Sequence, residues 1–144
     1  MRSLECSSAG DKRFSAFYAT VEVYGVRDSI ENHYQLSKRF KGERAYTWRG
    51  AKGRVPTTFF IGPSEYPATC KKPFDFLTAW YKLLWMEYLD NNPKLVDFLL
   101  GYERFTDRFS GKSIICQADA ISQYILVGRW SIIEEIKPLV SYKS

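Results

Sequence analysis

Cysteine and histidine are scarce in this sequence, and their scarcity limits the chemistry that the protein can carry. Its 144 residues include 3 Cys and 1 His, and no two of the cysteines form a C-x-x-C pair. An odd number of thiols without such spacing does not indicate a disulfide framework, and a single imidazole does not favour a zinc site. We therefore expect reduced thiols in a cytoplasmic protein, with no bound metal and no cofactor.

Long apolar runs are also missing. The first twenty residues contain Glu5, Asp11, Lys12 and Arg13 without an apolar core, and nowhere do eighteen apolar residues run together. Neither secretion nor a membrane partner is expected. The sequence also lacks internal repeats and low-complexity tracts, so residues 1–144 are predicted to form one compact domain.

Aromatic rings and positive charge are abundant by contrast. Aromatic residues make up 17% of the chain, and the formal net charge is +5. Most rings in a domain of this size belong to its core, although Trp and Tyr also stack on flat ligands. The basic balance favours nucleotides, nucleic acid or another anionic partner.

The first forty residues predict one strand followed by one helix. Apolar and polar residues alternate from Phe17 to Val23, which is typical of a half-buried strand, and Gly25 closes it. Asp28 stands three residues before Glu31, as an N-cap and its capping-box partner do. Apolar residues at helical spacing then extend this predicted helix to Phe40.

The rest of the chain is predicted to be mainly helical, which gives a mostly α fold with a small β component, of the α+β class. Residues 46–73 are rich in glycine and proline and predict loop with a short strand at 57–61. Apolar residues recur at helical spacing from Leu77 to Tyr88 and predict a central core helix. Caps and spacing predict three further helices: one from Pro93 to Gly101 with Asn92 as N-cap, one from Gln117 to Leu126, and a short one capped by Ser131 and Glu134.

Three polar side chains share one stripe of the first predicted helix. At 100° per residue, Gln35 lies about 40° and Lys38 about 20° from Glu31. A carboxylate, an amide and an ammonium in one row could serve catalysis. The stripe could equally be a solvated helix edge, with Glu31 acting as the capping partner of Asp28.

A basic segment and a pair of acids are further candidates. Residues 48–54 (WRGAKGR) combine an aromatic ring, three cations and two glycines, so the backbone and the Arg side chains could hold a phosphate. The segment matches no P-loop pattern and could instead be an exposed basic turn. Glu103 and Asp107 follow a predicted helix end, where single acids commonly make local hydrogen bonds.

Two of these segments resemble the opening of the NADAR domain family. Residues 14–18 (FSAFY) are similar to the family's Leu-Ser-Asn-Phe-Tyr strand, with Ala16 in the place of its Asn. Residues 29–35 (SIENHYQ), followed by Lys38, are similar to its Ser-Val-Glu-His helix, which continues into Tyr-Gln and a Lys. The order and the approximate spacing of these motifs both match.

The resemblance continues along the chain. Gly53 and Arg54 look like the family's Gly-Arg segment, and residues 92–100 look like its Asn-Pro, Leu-Leu helix. The likeness is clearest over residues 14–107. It implies a single NADAR-like domain that covers residues 1–144.

Characterised members of this family cleave N-glycosidic bonds, either in ribosylated pyrimidine intermediates or between ADP-ribose and guanine. The resemblance therefore implies a hydrolase whose substrate is a ribosylated nucleotide or an ADP-ribosylated base, free or within DNA. Glu31 would activate water and stabilise the oxocarbenium-like state, and Asp107 would assist the leaving base. The implied substrate-binding residues are Ser15, Phe17, Tyr18, Gln35, Lys38, Trp48, Lys52 and Arg54.

Two other functions fit the same residues. A non-catalytic module could bind nucleic acid or a nucleotide signal through residues 48–54 and the aromatic rings. A base-exchange transferase would use a similar carboxylate but pass the sugar to a second base. The sequence does not separate these alternatives, and it does not indicate an oligomeric state.

Overall fold

The computed structural model describes residues 2–7, 9–61, 64–67, 76–106 and 117–137. Helices and short strands both occur in these ranges, which confirms the α+β class. The helices are α1 Ile30–Leu36, α2 Trp48–Ala51, α3 Phe76–Asp90, α4 Pro93–Leu99, α5 Gln117–Ser122 and α6 Arg129–Ile136. The strands are β1 Ser3–Glu5, β2 Thr20–Val23, β3 Val26–Ser29, β4 Lys38–Phe40, β5 Glu43–Arg44, β6 Thr58–Ile61, β7 Ser64–Pro67 and β8 Arg104–Thr106.

The strands form three small sheets rather than one large one. β1 pairs in parallel with β8, β2 pairs with β3 in a hairpin, and β5-β4-β6-β7 form an antiparallel sheet. Each of the hairpins β2–β3 and β4–β5 turns through two residues with positive φ, Tyr24–Gly25 and Lys41–Gly42. Such turns match the twist of paired strands, and glycine at the second position carries no steric cost.

The predicted central helix is confirmed as α3, and its burial is wider than one apolar stripe. Trp80 and Trp85 from the predicted stripe are buried, and so are Leu83, Met86 and Leu89 on the other faces. β2 and the helices α1, α5 and α6 pack around it. A helix that buries apolar residues on several faces lies largely inside a domain.

The prediction that the first helix reaches Phe40 is wrong, because α1 ends at Leu36. The Ser37 hydroxyl donates to the carbonyl oxygen of Tyr34 at 2.7 Å, and the next three residues form β4. Lys38 pairs with Phe59 of β6 in that strand. Cross-strand pairing, which helical periodicity does not reveal, therefore overrides the helical pattern after residue 36.

Two predicted caps also differ in the structure. The Asn92 side chain makes no capping bond and instead donates from Nδ2 to the carbonyl oxygen of Tyr88 at 2.7 Å. Ser131 lies inside α6, where its hydroxyl donates to the carbonyl oxygen of Gly128, the N-cap residue. The predicted capping box of Ser131 and Glu134 is therefore wrong.

The limits of one predicted strand and the content of one predicted loop also differ in the structure. The strand predicted from Phe17 starts only at Thr20, because residues 15–19 form a turn in which the Ser15 carbonyl oxygen accepts from the N–H groups of Tyr18 and Ala19. The strand predicted at 57–61 is confirmed as β6. The surrounding segment holds more structure than expected, since it also contains α2 and β7.

The helix predicted over residues 117–126 is present but changes its winding. α5 runs to Ser122, and a π-helical turn follows at Gln123–Val127. Gly128, with φ of 130°, then separates it from α6. None of the helices in the described ranges has the length and apolar character needed to span a bilayer.

Candidate functional site

Glu31 does not cap the N-terminus of α1. Ser29 is the N-cap, and its hydroxyl accepts from the N–H of Asn32 at 3.0 Å. Asp28 lies in β3 and accepts from the N–H of Ser29 at 2.7 Å. The predicted capping box of Asp28 and Glu31 is therefore wrong, because other groups satisfy this helix end. The carboxylate of Glu31 remains available for another task.

Glu31 and Gln35 form a buried pair on α1. The Gln35 side-chain Nε2 donates to Glu31 Oε2 at 2.9 Å, and the two residues are 8% and 6% exposed. The other amide atom, Gln35 Oε1, is buried and accepts no hydrogen bond from the described residues. A buried acceptor without a partner is costly, and such groups are common where a ligand or water binds.

Lys38 lies beside this pair even though it belongs to β4. It is 5% exposed, and its Nζ donates to the carbonyl oxygen of Arg54 at 3.5 Å and lies 5.3 Å from the centre of the Tyr34 ring. Burial lowers the pKa of Lys38, and the negative charge of Glu31 opposes part of this decrease. The structure thus brings Glu31, Gln35 and Lys38 together from two elements.

Because the pKa of Lys38 is lowered in the folded protein, the stability of the fold varies with pH in the alkaline range. Between the folded pKa and the unfolded value of about 10.4, the unfolded chain binds a proton that the folded chain has released. The free energy of unfolding therefore rises with pH across this window relative to a chain without the amine. We expect wild type to gain stability relative to Lys38→Met when urea unfolding is measured from about pH 7 to about pH 10. If the free energy of unfolding changes with pH in the same way for both proteins, folding does not lower the pKa of Lys38.

A second group of predicted residues lies at the surface and is called here the aromatic–lysine cluster: Phe17, Trp48 and Lys52. The rings of Phe17 and Trp48 meet edge to face with centroids 5.0 Å apart. Lys52 Nζ lies 5.3 Å from the centre of the Phe17 ring and 5.4 Å from that of Trp48. Because Phe17 is 36% exposed and Trp48 is half-buried, the cluster offers ring surface and positive charge to a ligand.

The segment predicted as a basic loop is partly helical. Thr47 caps the single turn of α2, where its hydroxyl accepts from the N–H of Gly50 at 3.2 Å. Trp48 is the first residue of this turn, and Lys52 follows its last. The short helix therefore places the ring and the ammonium of the cluster on one side of a turn.

Backbone contacts join the cluster to Glu31. The N–H of Glu31 donates to the carbonyl oxygen of Ala16 at 2.9 Å, directly before Phe17 in the chain, and α1 packs against α2. The N–H of Ala16 in turn donates to Gln117 Oε1 at 2.7 Å. Gln117 is 7% exposed and supports the turn that carries Phe17. Sequence reasoning missed this residue, since it stood only as the first position of a predicted helix.

Arg54 lies at the edge of the same region. Its guanidinium stacks on Phe40 at 3.7 Å from the ring centre, and Nη1 donates to the carbonyl oxygen of Gly50 at 3.2 Å. The residue is exposed. The remaining N–H donors of the guanidinium can therefore reach an anion near α2.

The other predicted site residues do not join this group. Ser15 is fully buried, and its hydroxyl accepts from the N–H of Phe17 at 3.4 Å, so its role in the structure is to hold a turn. Tyr18 lies against Lys12, whose Nζ is 4.9 Å from the ring centre, and borders a different cleft. Asp107 is outside the described residues. In the part of the chain that the structure describes, no three His, Cys, Asp or Glu side chains are placed to hold a metal ion.

Comparison of the chain with protein-family models and with curated proteins gives no match. The resemblance to the NADAR family therefore depends on the sequence motifs alone. What the structure contributes is the arrangement of the residues in those motifs. It places a buried carboxylate, an amide and an ammonium next to an exposed surface of rings and cations.

Proposed function

We propose that this protein is an N-glycosidase of the NADAR type that hydrolyses the bond between a ribose and a nucleobase-type amine. The observation that supports it best is the buried hydrogen bond between Glu31 and Gln35, with Lys38 beside it. The aromatic–lysine cluster, which includes Trp48 of neighbouring α2, lies next to them. A carboxylate held in place by an amide is suited to stabilise a positively charged transition state.

In the proposed reaction the bond from the anomeric carbon to the base nitrogen breaks, and the bonding electron pair leaves with the base. The ribose then carries oxocarbenium-like positive charge, which the carboxylate of Glu31 stabilises. Glu31 accepts a proton from the attacking water, whose oxygen bonds to the anomeric carbon. Its Oε1 is free for that water among the described residues, because Gln35 occupies Oε2. Asp107 is proposed to supply the proton that the leaving base requires.

The proposed substrate is a ribosylated nucleotide or an ADP-ribosylated base, free or within DNA. Trp48 would stack on the flat base, and Lys52 and Arg54 would bind a phosphate. Gln35 would use its unpartnered Oε1 to accept from a ribose hydroxyl or from the water. Each assignment follows the chemical type of a side chain that lies near Glu31 or in the neighbouring segment 48–54.

The direct test is product analysis after incubation of the full chain with ADP-ribosylated guanine in DNA and with ribosylaminopyrimidine phosphates. We expect release of the free base and of the ribose-containing product from one of them. Repeating the reaction with added free base separates hydrolysis from base exchange, because only exchange yields a new nucleoside. Unchanged substrates after prolonged incubation of folded protein would contradict the proposal.

Trp48 gives a second prediction that concerns substrate binding. Trp48→Ala removes the stacking surface, and base stacking on an aromatic side chain contributes about 1–3 kcal/mol per base. We expect KM for the cleaved substrate to rise roughly fivefold or more while kcat changes less. Tyr46→Ala is the matched control, because Tyr46 is 83% exposed and lies outside the cluster. If Trp48→Ala and Tyr46→Ala have equal KM values, Trp48 does not contact the substrate.

A non-catalytic binding module is the second candidate. The difference in solvent exposure between the aromatic–lysine cluster and Glu31 favours it. The aromatic–lysine cluster is open to solvent, whereas Glu31 is 8% exposed, so a ligand could bind to the rings without reaching the carboxylate. Phosphate contacts would then make the affinity fall steeply with salt. Recovery of intact ligand, with binding unchanged in Glu31→Gln, would identify this function.

A further inference from the structure

A polar cleft lies apart from the Glu31 group, which is defined as Glu31, Gln35 and Lys38. Its volume is about 670 Å³, and its walls come from the 3₁₀ turn at Lys12–Phe14, the β2–β3 hairpin and the C-terminal end of α3. Tyr18 is the one predicted site residue that borders it, and neither Glu31 nor the aromatic–lysine cluster does so. Pockets that hold small ligands commonly measure about 300–1,000 Å³.

Two cations of this cleft form no salt bridge with a carboxylate of the described residues. Lys12 and Arg27 are exposed, and neither takes part in an ion pair within the described ranges. Arg13 differs from them, because Asp11 binds it at 2.7 Å. Glu22 lies opposite Arg27 in the hairpin register and is the one carboxylate on the cleft wall. The walls therefore carry more positive than negative charge, as a phosphate site requires.

The opposite wall supplies hydrogen-bond acceptors. Asn91 donates from Nδ2 to the carbonyl oxygen of Glu87, and Asn92 donates from Nδ2 to that of Tyr88, each at 2.7 Å. These bonds fix both amides and leave each Oδ1 without a protein donor among the described residues. Fixed carbonyl oxygens are suited to accept from sugar hydroxyls.

We propose that the cleft is a second ligand site, which binds a sugar phosphate, either free or as part of a nucleotide. Lys12 and Arg27 bind the phosphate, and the side-chain oxygens of Asn91 and Asn92 accept from the sugar hydroxyls. The half-exposed ring of Tyr18 lies against the Lys12 ammonium and holds this cation at the cleft wall. The proposal does not depend on the activity of the Glu31 group, since the two share no side chain.

Titration calorimetry of the full chain tests the site with four probes: ribose 5-phosphate, adenosine monophosphate, inorganic phosphate and ribose. We expect ribose 5-phosphate to bind more tightly than inorganic phosphate, and ribose not to bind. Equal affinity for ribose 5-phosphate and adenosine monophosphate would identify a free sugar phosphate, and tighter binding of the latter a nucleotide. If no phosphate ester binds, or if inorganic phosphate binds as tightly as both, the proposal is overturned.

Variants locate the bound ligand. Lys12→Gln and Arg27→Gln should each weaken binding about tenfold or more, because each removes a charge-assisted hydrogen bond. Lys94→Gln is the matched control, since Lys94 is exposed on α4 and does not border the cleft. Both cleft residues are exposed, so their variants should keep the thermal unfolding midpoint of wild type.

Variants of Glu31 and of the aromatic–lysine cluster provide the opposite comparison. Glu31→Gln and Lys52→Gln should keep the binding event that Lys12→Gln and Arg27→Gln weaken. If the protein is an N-glycosidase, Lys52→Gln loses only a separate phosphate contact at the proposed catalytic site. If these two variants lose binding while Lys12→Gln and Arg27→Gln retain it, the ligand binds at the proposed catalytic site and the second site does not exist. An equal loss in Lys94→Gln would show general charge attraction and would also overturn the proposal.

Discussion

Glu31→Gln is expected to lower kcat for N-glycosidic cleavage roughly a hundredfold or more, because a carboxylate that stabilises charge and accepts a proton loses both capacities as an amide. The substitution keeps the size and shape of the side chain. Its carbonyl oxygen can still accept from Gln35 Nε2, as Glu31 Oε2 does at 2.9 Å. KM should therefore change little, and the loss should appear in kcat.

The control for this variant is Glu43→Gln, which removes one carboxylate from exposed β5 and should leave kcat unchanged. Urea unfolding of both variants should stay close to that of wild type. If Glu31→Gln turns over substrate as fast as Glu43→Gln does, Glu31 is not the catalytic group. A parallel loss of stability and activity would instead make Glu31 a structural residue of α1.

The association of Glu31, Gln35 and Lys38 was predicted from the sequence, but for a partly wrong reason. The helical wheel placed all three on one helix, whereas Lys38 belongs to β4. Gln35 lies one turn from Glu31, so its contact is local and periodicity could reveal it. The position of Lys38 depends on the pairing of β4 with β6, whose residues lie about twenty positions further along the chain. Such pairing depends on tertiary structure, which a local pattern does not contain.

The hydrogen bond from the Ala16 N–H to Gln117 could not be predicted for the same reason. Gln117 is 101 residues away from Ala16 in sequence, and nothing around Gln117 marks its side chain as an acceptor for that N–H. α3 was predictable because a long, strongly periodic apolar segment specifies a helix by itself. The short strands β1 and β8 were not predicted, since a parallel pair of three residues depends on the partner strand and carries no period of its own.

Phe14→Ala is expected to lower the free energy of unfolding by about 3–5 kcal/mol, which is a large part of the 5–15 kcal/mol typical of a domain. Phe14 is fully buried, and its ring stacks on Phe98 with centroids 5.9 Å apart. Truncation leaves a cavity at residue 14, directly before the turn at residues 15–19. The carbonyl oxygen of Ala16 in this turn accepts a hydrogen bond from the N–H of Glu31. Urea unfolding measures the loss, and reduced protection of the Glu31 amide from hydrogen exchange would report its spread to the site.

Tyr46→Ala is the matched truncation for Phe14→Ala, because the ring of Tyr46 is 83% exposed. A surface substitution of this kind usually changes stability by no more than about 0.5 kcal/mol. The difference between the two variants therefore isolates the burial of Phe14 from the loss of an aromatic ring as such. If Phe14→Ala unfolds within about 1 kcal/mol of Tyr46→Ala, the packing around Phe14 is looser than the structure indicates. The turn at Ala16 would then have to be held mainly by Gln117, whose side-chain oxygen accepts from the Ala16 N–H at 2.7 Å.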